Sequence, residues 1–294
     1  MNHTAQALAD LIVHCHADMG AGPALAAQAH IDRSSVAVSA ALDLALPALG
    51  FEPHDAAILK SAWLRQSQRL GGFEANRWPS NALDFGLHAH PLPFPPCPKN
   101  LGLYAVLPSA DWVARMAAVG VPTLQLRFKS DDRRAIEREV IAAVRAVQGS
   151  TSLLFINDHW ASAIEHGAYG VHLGQEDLRI APIERLRMSG VRLGLSTHGY
   201  AEMLRADAIG PSYLALGAVF PTTLKRMATP PQGLGRLQAY AQLMAHRPLV
   251  GIGGIDASRF ADVRACGVGS VAVVRAIVGD AQAEQAALKL MAAW

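Results

Sequence analysis

The sequence is poor in the features that mark secreted, membrane-bound or nucleic-acid-coating chains. It has only 3 cysteines, Cys15, Cys97 and Cys266, odd in number and far apart. A disulfide framework is therefore not expected, and a reducing, cytoplasmic setting is. The formal net charge is +2, which gives neither nucleic acid nor an anionic membrane a reason to be the main partner. No apolar run is long enough to span a bilayer, and Asp10 and His14 interrupt the opening segment. Neither a membrane helix nor a signal peptide is expected. There is no H-E-x-x-H and no cysteine cluster of zinc spacing, and His14-Cys15-His16 has nothing nearby to complete a metal site. No G-x-G-x-x-G follows the first expected strand, which sets aside a dinucleotide-binding open sheet. No lysine sits buried in mid-strand to form a Schiff base.

Apolar content is plentiful. The chain has 294 residues, 51% of them hydrophobic, enough for one large domain or two small ones. Its sharpest punctuation is PLPFPPCP at 91–98. Proline fixes φ and removes donors, so neither a helix nor a central strand runs through it. The reading is a linker at 91–100, with different patterns on its two sides: a helical extension over 1–90 and a second domain over 101–294. In the extension, Ala- and Leu-rich segments at 5–16, 34–46 and 54–69 have amphipathic helix spacing. Asp32 or Ser34 suits as cap of the second and Pro47 should stop it. Pro53 opens the third, Gly71–Gly72 ends it, and 76–90 reads as loop.

After the linker, short apolar segments alternate with helices. The expected strands are 103–107, 123–128, 153–157, 170–173, 192–196, 213–217, 249–252 and 270–274, with helices such as 131–147 and 183–188 between them. Eight parallel βαβ units closing on themselves make a (β/α)₈ TIM barrel, with the doubly wound sheet as alternative.

A barrel carries its chemistry at the C-terminal ends of its strands, and polar residues gather there. Gln125, Arg127 and Lys129 alternate at the end of the second strand, so all three should face the mouth. Asn157-Asp158-His159 ends the third, Gly174-Gln175-Glu176-Asp177 follows the fourth, and Ser196-Thr197-His198 ends the fifth. The sixth runs into Pro221-Thr222-Thr223-Leu224-Lys225, and the seventh ends in Gly251-Ile252-Gly253-Gly254-Ile255. Singly these are ordinary turns, caps and solvated edges; convergence at six strand ends is not. His172 is expected to face packing or a backbone partner. Asp158 and Asp177 offer two carboxylates that suit Mg²⁺ bound also to substrate phosphates. Arg127, Lys129 and Lys225 supply positive charge to hold a pyrophosphate as it leaves. Gly253 and Gly254, with the loop after the eighth strand, form a backbone cradle for a second phosphate. Acids placed this way also suit proton abstraction in an isomerase.

The segments QLRFK, FINDH, GVHLGQEDL, LGLSTH, YLALGAVFPTTLK, GIGGI and SVAVVRAI, in this order across nearly all of 101–280, resemble the motif set of thiamine phosphate synthase. The resemblance implies a transferase that joins hydroxymethylpyrimidine diphosphate to thiazole phosphate, through departure of pyrophosphate and capture of a pyrimidine-methyl cation. It implies Asp158 and Asp177 as Mg²⁺ ligands. Gln125, Arg127, Lys129, Asn157 and Lys225 would hold the pyrimidine diphosphate, Ser196 the pyrophosphate, and Thr222 and Gly254 the thiazole phosphate side. The chain departs from the family at Leu224, at Gly217–Ala218, and at Ser270 and Arg275, the last two placed by the resemblance in the thiazole-phosphate cradle. Arg275 is expected to help bind that phosphate.

Two alternatives accompany this reading. A thiazole tautomerase on the same barrel resembles the fifth-strand segment, where His198 would act as acid or base, but typically lacks the Asn-Asp and Gly-Gln-Glu-Asp pairs. A non-catalytic barrel that binds thiamine phosphates is the third reading. In the extension, 37–46, 56–69 and 72–78 are similar to the C-terminal helices of hydroxymethylpyrimidine phosphate kinase. No Gly-rich nucleotide site accompanies them, so no kinase activity is expected. The extension is read as a helical appendage that packs on the barrel or mediates homo-oligomer formation.

Overall fold

The structure is a computed structural model that describes residues 3–19, 35–222 and 229–294. Asp32 and Ser34, the expected caps, and Leu224 and Lys225 lie outside the described residues. Three helices come first: α1 (His3–Cys15), α2 (Ser35–Ala48) and α3 (Pro53–Leu70). A barrel follows, with β1 (Gly102–Leu107), α4 (Ala110–Ala118), β2 (Thr123–Leu126), α5 (Arg133–Ala146), β3 (Leu153–Asn157) and α6 (Trp160–Glu165). Next are β4 (Gly170–Leu173), α7 (Gln175–Leu178), α8 (Ile183–Met188), β5 (Arg192–Thr197), α9 (Tyr200–Asp207) and β6 (Tyr213–Leu216). The chain ends with α10 (Gly233–Leu243), β7 (Leu249–Ile252), α11 (Phe260–Ala265), β8 (Ser270–Val273), α12 (Arg275–Val278) and α13 (Ala283–Ala292). The strands are parallel and run in sequence order around a closed barrel, β8 pairing back onto β1 with Gly102 opposite Ser270.

The helix ends follow local chemistry. Pro53 stands in the first turn of α3, where its missing N–H costs nothing. Gly71 ends α3 at φ 75°, its N–H reaching Gln68 O and that of Gly72 reaching Ser67 O. Pro47 does not stop α2 before it: the helix includes Pro47 and ends one residue later, at Ala48. So near the C-terminus a proline forfeits a single helical bond. The expected loop at 76–90 contains a short turn of 3₁₀ helix, Ala82–Phe85, which buries Asp84 and Phe85. Arg69 clamps the Asp84 carboxylate from α3 with bonds of 3.0 and 2.5 Å.

Two cores result. Inside the barrel, Leu101, Tyr104, Val106, Phe155, Tyr213, Ala215, Val250 and Ala272 pack with Cys97. The outward faces of the strands, the surrounding helices and the extension share the second core, in which Leu8, Leu42, Leu59 and Trp63 belong to the same cluster as Leu193 and Leu237. The proline-rich segment lies against the barrel. Phe94 is buried and its N–H donates to Gly210 O, Pro95 O accepts from Ser212 Oγ, and Cys97 enters the inner core. It therefore closes the end of the barrel opposite the mouth, since Ser212 and Arg192 precede or open their strands. Proline suits this because every donor it lacks is one fewer to satisfy in a buried, irregular segment.

Candidate active site at the barrel mouth

β2 ends at Leu126, so of Gln125, Arg127 and Lys129 only Gln125 lies within the strand. Gln125 is buried on the inner face and its Nε2 donates to Tyr104 Oη at 3.0 Å. Arg127, half-buried, still donates its N–H to Leu107 O on β1 at 2.7 Å, and Lys129 is exposed. Lys129 reaches the site by its length and forms an ion pair with Asp158.

Asp158 follows β3 in the left-handed region, at φ 64°, and is the only non-glycine residue with positive φ among the described residues. Aspartate tolerates this conformation better than most residues, and such strain concentrates at functional positions. Its backbone N–H donates to His172 O on β4 at 3.0 Å. Asp177, in the first turn of α7, is its hydrogen-bonded neighbour. Burial works to raise the Asp158 carboxyl, but the Lys129 ammonium outweighs it and holds the group below its ordinary value. Asp177 is pushed up by burial and by the negative charge of Asp158. Two carboxylates from neighbouring strand ends that resist ionising together are relieved by a divalent cation, and their hard oxygens fit Mg²⁺.

Inside the mouth a chain of side chains crosses the barrel. Gln125 bonds Tyr104, Tyr104 Oη lies 2.7 Å from Tyr213 Oη, and Tyr213 Oη lies 2.7 Å from His172 Nδ1. His172 Nε2 lies 2.8 Å from Ser196 Oγ. His172 is thus engaged by two side-chain hydroxyls and not by packing or a backbone group alone, as the sequence suggested. Its position on β4 places it opposite Asn157 and Gly194, on the inner face. Gln175 Nε2 also donates to the Ser196 carbonyl at 2.7 Å. Ser196 is therefore fixed at both its hydroxyl and its backbone. Asn157 is buried at the end of β3.

On the far side, His198 donates its backbone N–H to Glu202 Oε2 at 2.9 Å and pairs through Nδ1 with the same oxygen at 2.6 Å. The β6 and β7 loops stay together beyond their strands, Phe220 N–H donating to Gly253 O. Gly254 has φ 66°, and a Cβ there would meet Pro221 O at 2.5 Å, so only glycine fits beside the segment that carries Thr222. The Gly217–Ala218 peptide bond is cis. Ser270 is not at the mouth: it opens β8, and its Oγ accepts from Leu101 N–H at 2.8 Å at the opposite end. It therefore has no place in a phosphate cradle. Arg275 follows β8 at the mouth.

The structure brings together Gln125, Asn157, Asp158, Asp177 and Ser196 with Lys129, and sets Thr222 beside Gly254. Sequence reasoning missed Tyr104, Tyr213 and Glu202, gave Gln175 no role, and expected His172 to face packing or a backbone partner. Strand parity was the available signal, since Asn157, His172 and Ser196 share inward positions on consecutive strands.

The family model described as thiamine monophosphate synthase matches residues 103–277. A thiamine-phosphate synthase of Neisseria meningitidis serogroup B is 49% identical over 201 residues, covering 68% of this chain and 98% of that protein. One of Proteus mirabilis is 46% identical over 198 residues, covering 67% of this chain and 92% of that protein. Among solved structures, a thiamine phosphate pyrophosphorylase from Pyrococcus furiosus superposes with a TM-score of 0.58 at 28% identity, covering 66% of this chain and 96% of that one.

Proposed function

The chain belongs to the thiamine monophosphate synthase family and is a thiamine-phosphate synthase, a transferase of thiamine biosynthesis; from that premise we propose how its barrel mouth joins a hydroxymethylpyrimidine diphosphate to a thiazole phosphate. The observation that carries the proposal is the pair Asp158 and Asp177, neighbours that follow β3 and β4, with Lys129 paired to Asp158.

Asp158 and Asp177 hold Mg²⁺ in this reading, and the ion supplies charge neutralisation to the diphosphate. Arg127, Lys129 and Lys225 bring further positive charge, and Asn157 and Ser196 donate hydrogen bonds. Gln125 and Asn157 form the buried floor beneath the pyrimidine. The C–O bond to the pyrimidine methylene breaks and its electron pair departs with pyrophosphate. The thiazole nitrogen then gives its lone pair to the methylene cation, and the new C–N bond leaves the ring as a thiazolium. The mouth suits the first step, because Lys129 and the carboxylate pair that would hold the ion lie together where the diphosphate would be bound in this reading. Thr222, Gly254 and Arg275 hold the phosphate of the thiazole. The tautomerase alternative does not call on a paired carboxylate site, and the related synthases at 46–49% identity favour the synthase.

The test is pyrophosphate release by the full chain with both substrates, with and without Mg²⁺. Release that needs all three and collapses in Asp158→Asn supports the reading. Release unaffected by a chelator would sink the metal assignment, and release without the thiazole phosphate at the same rate would sink the coupling.

No helix among the described residues is long and apolar enough to cross a membrane. The substrates in this reading are small and soluble, which is consistent with a cytoplasmic enzyme.

A further inference from the structure

The family match begins at residue 103, so the extension is additional to the part shared with the relatives. Its contact with the barrel falls on the two helices that follow the mouth loops of β5 and β6. At α9 the residue in the capping position is Gly199, which has no side chain with which to cap. A helix start leaves N–H groups without partners, and here the extension supplies the acceptors. Asp55, in the first turn of α3, takes the N–H of Tyr200 on Oδ2 at 3.0 Å and the N–H of Ala201 on Oδ1 at 2.8 Å. The fit is close enough to require glycine: a Cβ at position 199 would fall on the Asp55 carboxylate, well inside 3.0 Å. The backbone of Gly199 is extended, so the contact, not the conformation, excludes a side chain.

The same arrangement occurs in reverse at α10. Arg236 is buried and donates Nε to Met19 O at 2.6 Å and Nη2 to Leu49 O at 2.8 Å, and its guanidinium lies 4.0 Å from the Phe51 ring. Both carbonyls lie where helical segments of the extension end. Beside it, a Cβ on Gly235 would meet Asp18 O at 2.6 Å. Between these two clamps Tyr200 takes a hydrogen bond from Trp78 Nε1 at 2.9 Å and stacks on Phe85 with ring centroids 5.5 Å apart. The extension thus caps a barrel helix with an anion while the barrel caps the extension with a cation.

This matters for the mouth because only His198 and Gly199 separate β5 from α9. Glu202, in the first turn of α9, holds His198 through both its backbone and its ring, and Ser196 is two residues earlier. Fixing the start of α9 therefore fixes the end of β5. We propose that Asp55 is a positioning residue of the synthase, holding the β5–α9 connection from the extension so that Ser196 meets the diphosphate. The proposal rests on the placement of the diphosphate at Ser196 given above.

A cycle of full-length variants tests it. Asp55→Ala should raise the KM for the pyrimidine diphosphate about fivefold to tenfold, the scale of losing a helix cap, with the KM for the thiazole phosphate unchanged. Gly199→Ser alone should show a similar loss, because the new side chain lands on the carboxylate. The double variant should recover to within about twofold, since the new hydroxyl is then free to cap α9 from within the barrel. Amide exchange at Tyr200 and Ala201 should lose protection in Asp55→Ala and regain it in the double variant. Should Asp55→Ala fold poorly, the isosteric Asp55→Asn, which removes one of the two acceptors, takes its place. Asp43→Asn, which breaks a surface ion pair of the extension with Lys60, serves as the control and should leave the kinetics as they are. Normal KM for the diphosphate in Asp55→Ala, or equal loss for both substrates with no rescue in the double variant, would overturn the positioning role. Rescued amide protection with no change in the diphosphate KM at any step would leave Asp55 as a cap of α9 alone, whereas an unchanged diphosphate KM in Ser196→Ala would remove Ser196 from the diphosphate site, and the proposal with it.

Discussion

His172 Nε2 lies 2.8 Å from Ser196 Oγ while its Nδ1 lies 2.7 Å from Tyr213 Oη. Gln125 donates through Nε2 to Tyr104 at the far end of the same chain. The imidazole tautomer with its hydrogen on Nε2 donates to Ser196 Oγ, and in that state the Ser196 hydroxyl hydrogen is available to an anionic substrate. His172→Leu removes this arrangement and strands two hydroxyls. It should cost about 1–3 kcal/mol of stability, read from chemical denaturation, and raise the KM for the diphosphate. Unchanged kinetics in His172→Leu would show that Ser196 needs no orientation.

Asp158→Asn separates the charge of this residue from its backbone. Asparagine tolerates the left-handed conformation that Asp158 adopts at φ 64°, so the variant should melt within a few degrees of the parent. Its pyrophosphate release should fall about 100-fold or more, the scale of removing a preorganised group that stabilises developing charge. Asp158→Val should lose activity and stability together, because a β-branched side chain is a poor occupant of that region. Full activity in Asp158→Asn would remove the carboxylate from the metal site.

The barrel was readable in advance because its strands are short apolar segments at regular spacing, and 153–157, 170–173 and 249–252 end where the sequence placed them. Strand ends were less readable. Gln125 points inward as parity requires, and Arg127 and Lys129 lie past the last residue of β2, although Arg127 keeps one backbone bond to β1. Ser270 opens β8 at the end away from the mouth, and a motif alignment that groups it with Arg275 orders residues without saying which end of a strand they occupy. The inner hydrogen-bond chain joins residues on β1, β2, β4, β5 and β6, and no local pattern announces a contact between Tyr104 and Tyr213. The same holds for Asp55 and Arg236, which look like ordinary surface charges until the barrel brings their partners to them.

Arg236 should be the costliest charged residue of the extension contact to replace. Its guanidinium satisfies two backbone carbonyls at once and lies over Phe51. Arg236→Met keeps much of the volume and leaves Met19 O and Leu49 O without their donor, for a loss of about 3 kcal/mol. Arg236→Lys should recover little of it, since one ammonium cannot reproduce the planar fork that reaches both carbonyls. Urea denaturation of both variants checks this; a lysine variant as stable as the parent would show that charge alone, without the fork, holds the extension.

His16 makes the extension sensitive to mild acid. The ring is buried, its Nε2 lies 2.9 Å from Ala75 O, and the edges of Trp63 and Trp78 surround it at centroid distances of 5.5 and 4.9 Å. Burial lowers its pKa, against smaller opposing effects of the Ala75 carbonyl and Asp18. The neutral ring donates to Ala75 O, and the unfolded chain, with an ordinary histidine near pKa 6.5, takes up the proton first. The stabilising contribution is therefore complete above about pH 6.5 and is lost as pH falls from there toward the lower folded value. Within that window each unit of pH removes up to about 1.4 kcal/mol. His16→Gln keeps a donor for Ala75 O and does not titrate. Melting at pH 8 and pH 5.5, two points on either side of the unfolded value of about 6.5, should show a larger drop for the parent than for His16→Gln. Equal drops in the two proteins would mean that the acid response comes from other groups.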